Sequence, residues 1–518
     1  MSKIVTAAEA AALVPAGATL GVDGFVGSVC PEELLLALEA RFLETGEPGG
    51  MTVIASTGSG DTRGRGLDRL RHDGMIRRLV TSYLNLNRML QRRLIDNEIE
   101  GYLLPLGVIV QLYREIAAGR PGLVTHVGLG TFVDPEHGGG RVNARTVEDY
   151  VERVRLSGRD WLFYPSMRLD AGLLRGTTAD PDGNITMERE IGTFQGPSFA
   201  QAVRNSGGTV LAQVERIAER GSLDPRKVVI PGHLVDRVVV ARPENHPQTF
   251  ATAYDPVFSG EVRADMSVRR PLPLTVKKVI GRRAAMELRR GDVVNLGVGA
   301  PEYVATVAGE EGCGDAFTLT VESGATGGYP AYGLSFGAAI NPSSVIDNTY
   351  QFDFYDGGGL DITFVGMAEL DAAGNVNVSK LKTRIPGIGG FFNVTQGAKR
   401  VVFCGQFSAG ESDIRAAGGR LDIRRDGDPV KFVEAVEQIS FNARAGLARG
   451  QSVMVVTERC VFAIDEAGPV LTEIAPGVDL EGDVLTRMAF RPRVADDLCE
   501  MPAALFRDEP MGLPARLS

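Results

Sequence analysis

Thr318-Leu319-Thr320-Val321 runs straight into Glu322-Ser323-Gly324, with Gly327 and Gly328 close behind. A β-favouring run that ends on a carboxylate and then on glycines predicts a strand whose last side chains stand at an open edge of bare backbone. Glycine there lets the main chain turn sharply and lets a ligand approach it closely. Open α/β sheets bind ligands at the carboxyl ends of their strands. Glu322 is therefore the first candidate for chemistry; the plain alternative is a surface acid at a glycine turn. A second stretch, Asn295-Leu296-Gly297-Val298-Gly299-Ala300-Pro301-Glu302, turns a strand into a helix start. Its backbone N–H groups are suited to cradle an oxyanion or a phosphate.

Other patterns carry less. Gly21-x-x-Gly24-x-x-Gly27 and Gly297-x-Gly299 follow strands, but neither completes G-x-G-x-x-G, and no Gly-Lys-Ser/Thr P-loop occurs. Gly333-Leu334-Ser335-Phe336-Gly337 fits the nucleophile elbow of serine hydrolases. That arrangement needs a histidine after the serine, whereas the last histidine is His246, and Tyr329-Pro330-Ala331-Tyr332 is expected to break the strand that would lead into it. Cys30 at a helix start reads as a buried structural thiol sooner than a reactive one. Asp353, Asp356 and Asp361 around Gly357-Gly358-Gly359 lack calcium-loop spacing and read as turn residues near the site.

The elements that would position these residues are those of an α/β protein. Ala18–Val22 and Met51–Ala55 read as strands that empty into glycines, and a helix is expected from Pro31-Glu32-Glu33, its two acids facing the positive end of the helix dipole. Leu123–Val127 followed by Gly128-Leu129-Gly130 repeats the strand-then-glycine theme, and strand, glycine loop, helix is expected throughout. An internal repeat emerges in three ordered blocks: Gly17–Gly24 with Gly291–Gly299, Asp180–Thr186 with Asp371–Asn377, and Gly207–Gln213 with Gly397–Phe403. The reading is two related α/β domains in tandem, 1–241 and 275–518, with an insertion between the first two blocks of the first. Residues 242–274 are rich in proline, lack periodicity and read as a linker.

Composition narrows the class. The 64 glycines among 518 residues fall in short clusters after apolar runs, as strand-to-loop turns require. A net charge of −10 without long blocks argues against a nucleic-acid partner. The first residues carry Glu9 in their apolar run and no basic start, and no apolar stretch reaches membrane-spanning length, so neither a signal peptide nor a membrane partner is expected. Five scattered cysteines without C-x-x-C and five dispersed histidines fit a reducing cytoplasm and give no metal-ligand spacing.

Val321-Glu322-Ser323-Gly324 with Gly327-Gly328, Asn295–Pro301, Gly130-Thr131-Phe132-x-Asp134-Pro135 with Gly138-Gly139-Gly140, and Thr457-Glu458-Arg459-Cys460-Val461-Phe462 together resemble family I CoA-transferases over essentially the whole chain. Among these the resemblance is strongest to single-chain propionate and acetate CoA-transferases. It implies two homologous open α/β domains of NagB/RpiA-like topology, the second carrying the nucleophile, and it puts that role on Glu322. It further implies oxyanion or CoA contacts at Gly297, Val298, Gly299 and Gly405, and an acyl pocket at Leu106, Gly107 and Phe25. Many relatives carry glutamine where Leu106 stands, so a less polar acyl group is expected. The expected reaction passes CoA from a short-chain acyl-CoA to a carboxylic acid through an acyl-glutamyl anhydride and a glutamyl-CoA thioester, with ping-pong kinetics. CoA is then a substrate, and no cofactor or metal is called for. An acyl-CoA hydrolase built on the same glutamate is the alternative enzyme, and a CoA-sensing binding protein the non-enzymatic one. A cytoplasmic homo-oligomer, dimer or tetramer, is expected.

Overall fold

The computed structural model describes residues 2–266 and 271–517. Internal contacts divide it into one unit of Met1–Ala264, Val321–Asp353 and Leu381–Asn393, and another of Asp265–Thr320, Phe354–Lys380 and Val394–Ser518.

The first unit is built on a seven-stranded sheet. Its strands are β1 (Thr19–Val22), β2 (Met51–Ala55), β3 (Ile76–Thr81), β4 (Glu100–Leu103), β5 (Ala171–Arg175), β6 (Thr209–Val214) and β7 (Arg237–Val240). They lie in the order β7-β6-β5-β1-β2-β3-β4, each pair parallel. Parallel sheets are covered on both faces, so their strands read as unbroken apolar runs. Val53-Ile54-Ala55, Leu173-Leu174 and Val210-Leu211-Ala212 are buried accordingly. The helix Gly196–Asn205 packs on this sheet through glycines: a Cβ on Gly21 would fall 2.6 Å from the Phe199 ring, and one on Gly172 2.5 Å from Val203.

The helix Glu32–Thr45 starts after Pro31 with both acids in its first turn, as expected. Glu32 also accepts the Gly66 N–H at 2.7 Å and pairs with Arg69, while Glu33 takes Arg242 and Asn245. Two expectations are corrected here. First, the glycine loop after Gly122–Thr125 leads into no helix of the main layer. That strand pairs antiparallel with Arg159–Pro165, and Glu152–Leu156 completes a separate three-stranded sheet. It lies within the expected insertion. Second, Tyr329–Pro330 is not broken out of pairing but makes a short antiparallel ladder with Ala339–Ile340.

Residues 242–264 pack on the first unit. Arg242 reaches Glu33, Gln248 donates to Arg189 O at 2.8 Å, the Phe250 ring and backbone fill the space over Gly27, and Ala264 N–H donates to Asn341. Of the remainder of the expected linker, 267–270 lie outside the described residues.

In the second unit β8 (Val293–Leu296) pairs parallel with β9 (Thr318–Thr320) on one side and β10 (Ile362–Gly366) on the other, and β10 continues through β11 (Arg400–Cys404) to β12 (Ser452–Val456). Antiparallel strands Cys460–Asp465 and Gly468–Ile474 extend it. The neighbour relations of β2-β1-β5-β6 in the first unit therefore recur as β9-β8-β10-β11. The repeat reaches side-chain detail. Asp180 Oδ1 accepts the N–H groups of Asp182 and Asn184, and Asp371 Oδ1 those of Ala373 and Asn375, with Gly183 and Gly374 at φ +85° and +83°.

Arg459, fully buried, ties this unit together: its guanidinium meets Glu458 at 2.8 Å and Asp426 at 2.7 Å. Against the desolvation that would raise it, hydrogen bonds from Arg459 and Ser408 hold the Asp426 carboxyl down at about 2. A carboxyl depressed below its unfolded value stabilises above that value and stops doing so as pH falls through the folded one. Asp426→Ala should cost about 1–3 kcal/mol at pH 7 by removing one of the two carboxylates paired with the buried guanidinium, Glu458 remaining as the other. The penalty should shrink as pH falls from about 4 towards 2, which urea unfolding at a series of pH values would read.

Candidate active site

Glu322 sits two residues beyond β9, in a turn closed by Gly324 N–H to Val321 O at 2.9 Å and Val321 N–H to Ala325 O at 2.8 Å. Gly324 has φ +107°, and a Cβ on it would lie 1.9 Å from Ile346 O, so glycine is obligatory at this point of the turn. Ser323 Oγ donates to Gly337 O at 2.6 Å and fixes the next step of the chain. Between the two, the Glu322 side chain is directed at Gly390. A Cβ on Gly390 would fall 2.6 Å from the Glu322 Cδ and 2.7 and 2.8 Å from its two oxygens. The bare Cα of that glycine is thus the seat of the carboxylate, and the Gly390 N–H donates to it.

This seat belongs to a loop, Pro386–Gly390, which is clamped by its neighbours. Leu84 and Asn85 N–H donate to Pro386 O, Ile388 and Gly389 N–H to Ser82 O at 2.7 and 3.0 Å, and Leu106 N–H to Gly389 O at 2.9 Å. Tyr83 lies close enough to interact electrostatically with Glu322. Burial raises its phenol, with a bond to Asn85 opposing. Around Glu322, burial pushes the carboxyl up to about 7, the Gly390 N–H offsetting part of the rise. The residue nevertheless keeps some accessible surface. A carboxylate so raised is more basic than one in water and holds little of its solvation shell, both of which favour attack on an electrophile.

The expected site residues divide between the units. Glu322, Leu106, Gly107 and Phe25 lie in the first, Gly297, Val298, Gly299 and Gly405 in the second. Leu106 and Gly107 open the helix Leu106–Ala117 and hold the glycine loop from its far side: besides the Leu106 bond, Gly107 N–H donates to Asn393 Oδ1 at 3.1 Å. Phe25 stands behind the Glu322 turn. It stacks on Phe194 and Phe336 at 5.4 and 6.0 Å between ring centres and lies against Gly337, whose carbonyl takes Ser323. In the second unit three expected donors are already engaged. Gly297 N–H donates to Phe364 O at 2.7 Å and Gly405 N–H to Val456 O at 3.2 Å, because sheet pairing runs one residue past the strand ends. The Gly299 N–H, on a turn at φ +99°, donates to the Glu302 carboxylate, which leaves the Val298 amide as the candidate. Asp353 is no turn residue. It lies in the helix Asn348–Asp356 and pairs with Arg114 at 2.7 Å, while Asp361 accepts Val293 N–H and Lys399. Cys30 is fully buried, and desolvation pushes its thiol well up, the wrong direction for a nucleophile.

A family model for Coenzyme A transferase matches residues 4–241. Over 519 aligned residues the chain is 44% identical to the caffeate CoA-transferase of Acetobacterium woodii, covering 99% of both. The chain is a family I CoA-transferase. The transferase is also 38% identical to the acetate CoA-transferase YdiF of Escherichia coli O157:H7 over 98% of its own length and 96% of that protein's. It superposes on the crystal structure of the YdiF apoenzyme with a TM-score of 0.93, covering 99% of this chain and 97% of that one at 37% identity. A second solved structure of the same protein, with the same TM-score of 0.93, is a thioester complex with CoA.

Sequence reasoning missed Gly390 and its loop. The signal was present as Pro386-Gly387-Ile388-Gly389-Gly390, but nothing in the spacing tied it to Glu322, which is distant in the chain. Among the described residues no group of three or more His, Cys, Asp and Glu side chains is arranged to hold a metal, and no helix is long and apolar enough to cross a membrane.

Proposed function

We propose that Glu322 is the nucleophile that carries CoA between two carboxylic acids. One observation supports this above the others: the carboxylate rests on the bare Cα of Gly390, takes its N–H, and is pushed up to about 7 by burial. A Glu322 oxygen attacks the thioester carbonyl of acyl-CoA, the C–S bond breaks, and CoA leaves as thiolate, giving the acyl-glutamyl anhydride. The thiolate attacks the glutamyl carbonyl and expels the acyl group as its carboxylate, leaving glutamyl-CoA. An incoming carboxylate reverses both steps and departs as acyl-CoA. Each attack builds an oxyanion, for which one well-placed backbone donor would be worth about 3–4 kcal/mol.

The halves 1–241 and 275–518 are read as the α-subunit-like and β-subunit-like domains of this family. Leu106, buried at the loop-facing end of its helix, favours a short or apolar acyl group over a polar one; the two named relatives act on caffeate and acetate. CoA enters as substrate, and no cofactor or metal takes part in any step. The enzyme is read as a cytoplasmic homo-oligomer.

The deciding experiment is mass spectrometry of enzyme mixed with acyl-CoA alone and then reduced with borohydride. Modification of the peptide that carries Glu322 is the expected result, and an unmodified peptide in an enzyme that still exchanges CoA overturns the assignment. Adding acetate should then yield acetyl-CoA; free CoA and acid at an unchanged rate would indicate hydrolysis instead. Because the attacking form is the ionised one, kcat/KM should rise with pH along an acid limb centred near 7, measurable with a substrate acid that stays ionised throughout.

A further inference from the structure

Gln195 lies outside the Glu322 turn, yet it is fully buried and its amide is engaged at both ends. Nε2 donates to Asp23 Oδ1 and, at 3.1 Å, to Ser56 Oγ; Oε1 accepts from Asn348 Nδ2 at 2.9 Å. The partners come from three places: the residue after β1, the residue after β2, and the 321–353 segment that bears Glu322. All three are buried. From Ser56 the bonding continues. Its carbonyl accepts Ser82 Oγ, the Ser82 carbonyl accepts Ile388 and Gly389 N–H, and the next amide, that of Gly390, donates to Glu322. A single path of hydrogen bonds therefore joins Gln195 to the nucleophile's seat, and a second bond, through Asn348, joins it to the segment that bears the nucleophile.

Filling space in a core is cheaper with an apolar side chain, because a buried amide must recover its desolvation bond by bond. This network does not recover all of it: among the described residues Asp23 Oδ2 and Asn348 Oδ1 have no hydrogen-bond partner. Polar groups kept at such a cost are better explained by placement than by stability. Placement is what the reaction needs, since a nucleophile displaced by about 1 Å loses on the order of 100-fold in rate.

Building on the nucleophile reading above, we propose that Gln195 is a positioning residue for CoA transfer. Through Ser56 and Ser82 it fixes the loop on which the Glu322 carboxylate rests, and through Asn348 it fixes the segment that carries that carboxylate.

The test uses the full chain with Gln195→Met, Ser82→Ala and the two combined, with rates expressed per active site trapped by borohydride. Gln195→Met should lower kcat about 10- to 100-fold with KM for acyl-CoA within about threefold, and Ser82→Ala about 10-fold. The double variant should be little worse than Gln195→Met alone, because both cut one path. Glu322 faces the Gly390 amide and the Tyr83 phenol, with Arg384 beyond Tyr83. Loosening the amide should thus move the acid limb of kcat/KM to higher pH, which a loss of stability alone would not do. Should Gln195→Met fail to fold, Ser56→Ala with Ser82→Ala, both on the loop path, carries the same comparison. Unchanged rates per trapped site, losses that multiply in full, or an unmoved acid limb would each overturn the positioning role. A wild-type enzyme that traps no adduct overturns the nucleophile reading, and this one with it; a wild-type that traps normally beside unaffected variants overturns only this one.

Discussion

Glu322→Gln is expected to abolish CoA exchange, lowering kcat by more than about 10⁴-fold, while leaving the protein folded and more stable at alkaline pH. The first half follows from the chemistry. An amide oxygen carries no charge to form the anhydride, and the route without a covalent intermediate leaves the difficult exchange undivided. The second half follows from the site. Burial raises the carboxyl from 4.5 to about 7 in the folded chain, so folding favours the protonated acid. A group raised in this way stabilises fully below its unfolded value and loses that contribution as pH rises through the folded one. At pH 8 the wild-type holds an ionised carboxylate that the fold disfavours, and glutamine removes that burden. The gain should be about 1–2 kcal/mol, less than the full shift implies because Glu322 keeps some contact with solvent, and it should vanish near pH 4. Paired denaturation curves at pH 8 and pH 4 check it, alongside the exchange rate. Lower stability of the variant at pH 8 would argue that Glu322 holds the fold together and is not placed there for reaction.

How far the sequence reached differs by element, for physical reasons. The strand before Glu322 and the glycine turn after it were legible because both rest on local preferences: β-favouring residues up to Val321, then a position at Gly324 that only glycine can fill. The repeat was legible because the Asp180 and Asp371 turns each need the same Asp, Gly and Asn at the same spacing. What surrounds Glu322 was not legible. Gly390, Ser82, Gln195 and Asn348 reach it through bonds between residues far apart in sequence, and no local pattern marks such a bond. The donors expected at Gly297 and Gly405 failed as free amides because a strand's last pairing depends on where its neighbour ends, and each neighbour supplies one more carbonyl. Asp353, read as a turn residue, went astray because its guanidinium partner Arg114 lies on another helix.

Gly390→Ala is the sharpest test of the seat itself. The added methyl carbon would stand 2.6–2.8 Å from the three carboxylate atoms of Glu322 and has no closer neighbour, so something must give. The atoms in its way are the far end of a side chain and not backbone, and Gly390 is not among the residues at positive φ. The fold therefore absorbs the substitution by turning the Glu322 carboxylate aside, at a cost of about 1 kcal/mol or less in stability. Catalysis cannot absorb it. A displaced carboxylate loses the Gly390 N–H and its line of attack together, and a shift of about 1 Å is worth on the order of 100-fold, so kcat should fall about 10²- to 10³-fold. Adduct trapping with acyl-CoA should slow in proportion, because the same oxygen makes the first bond. The contrast to measure is between thermal unfolding, nearly unmoved, and the trapping rate, strongly reduced. If instead the variant unfolds early and its surviving fraction traps at the wild-type rate, Gly390 is a packing residue and the carboxylate is held by something else.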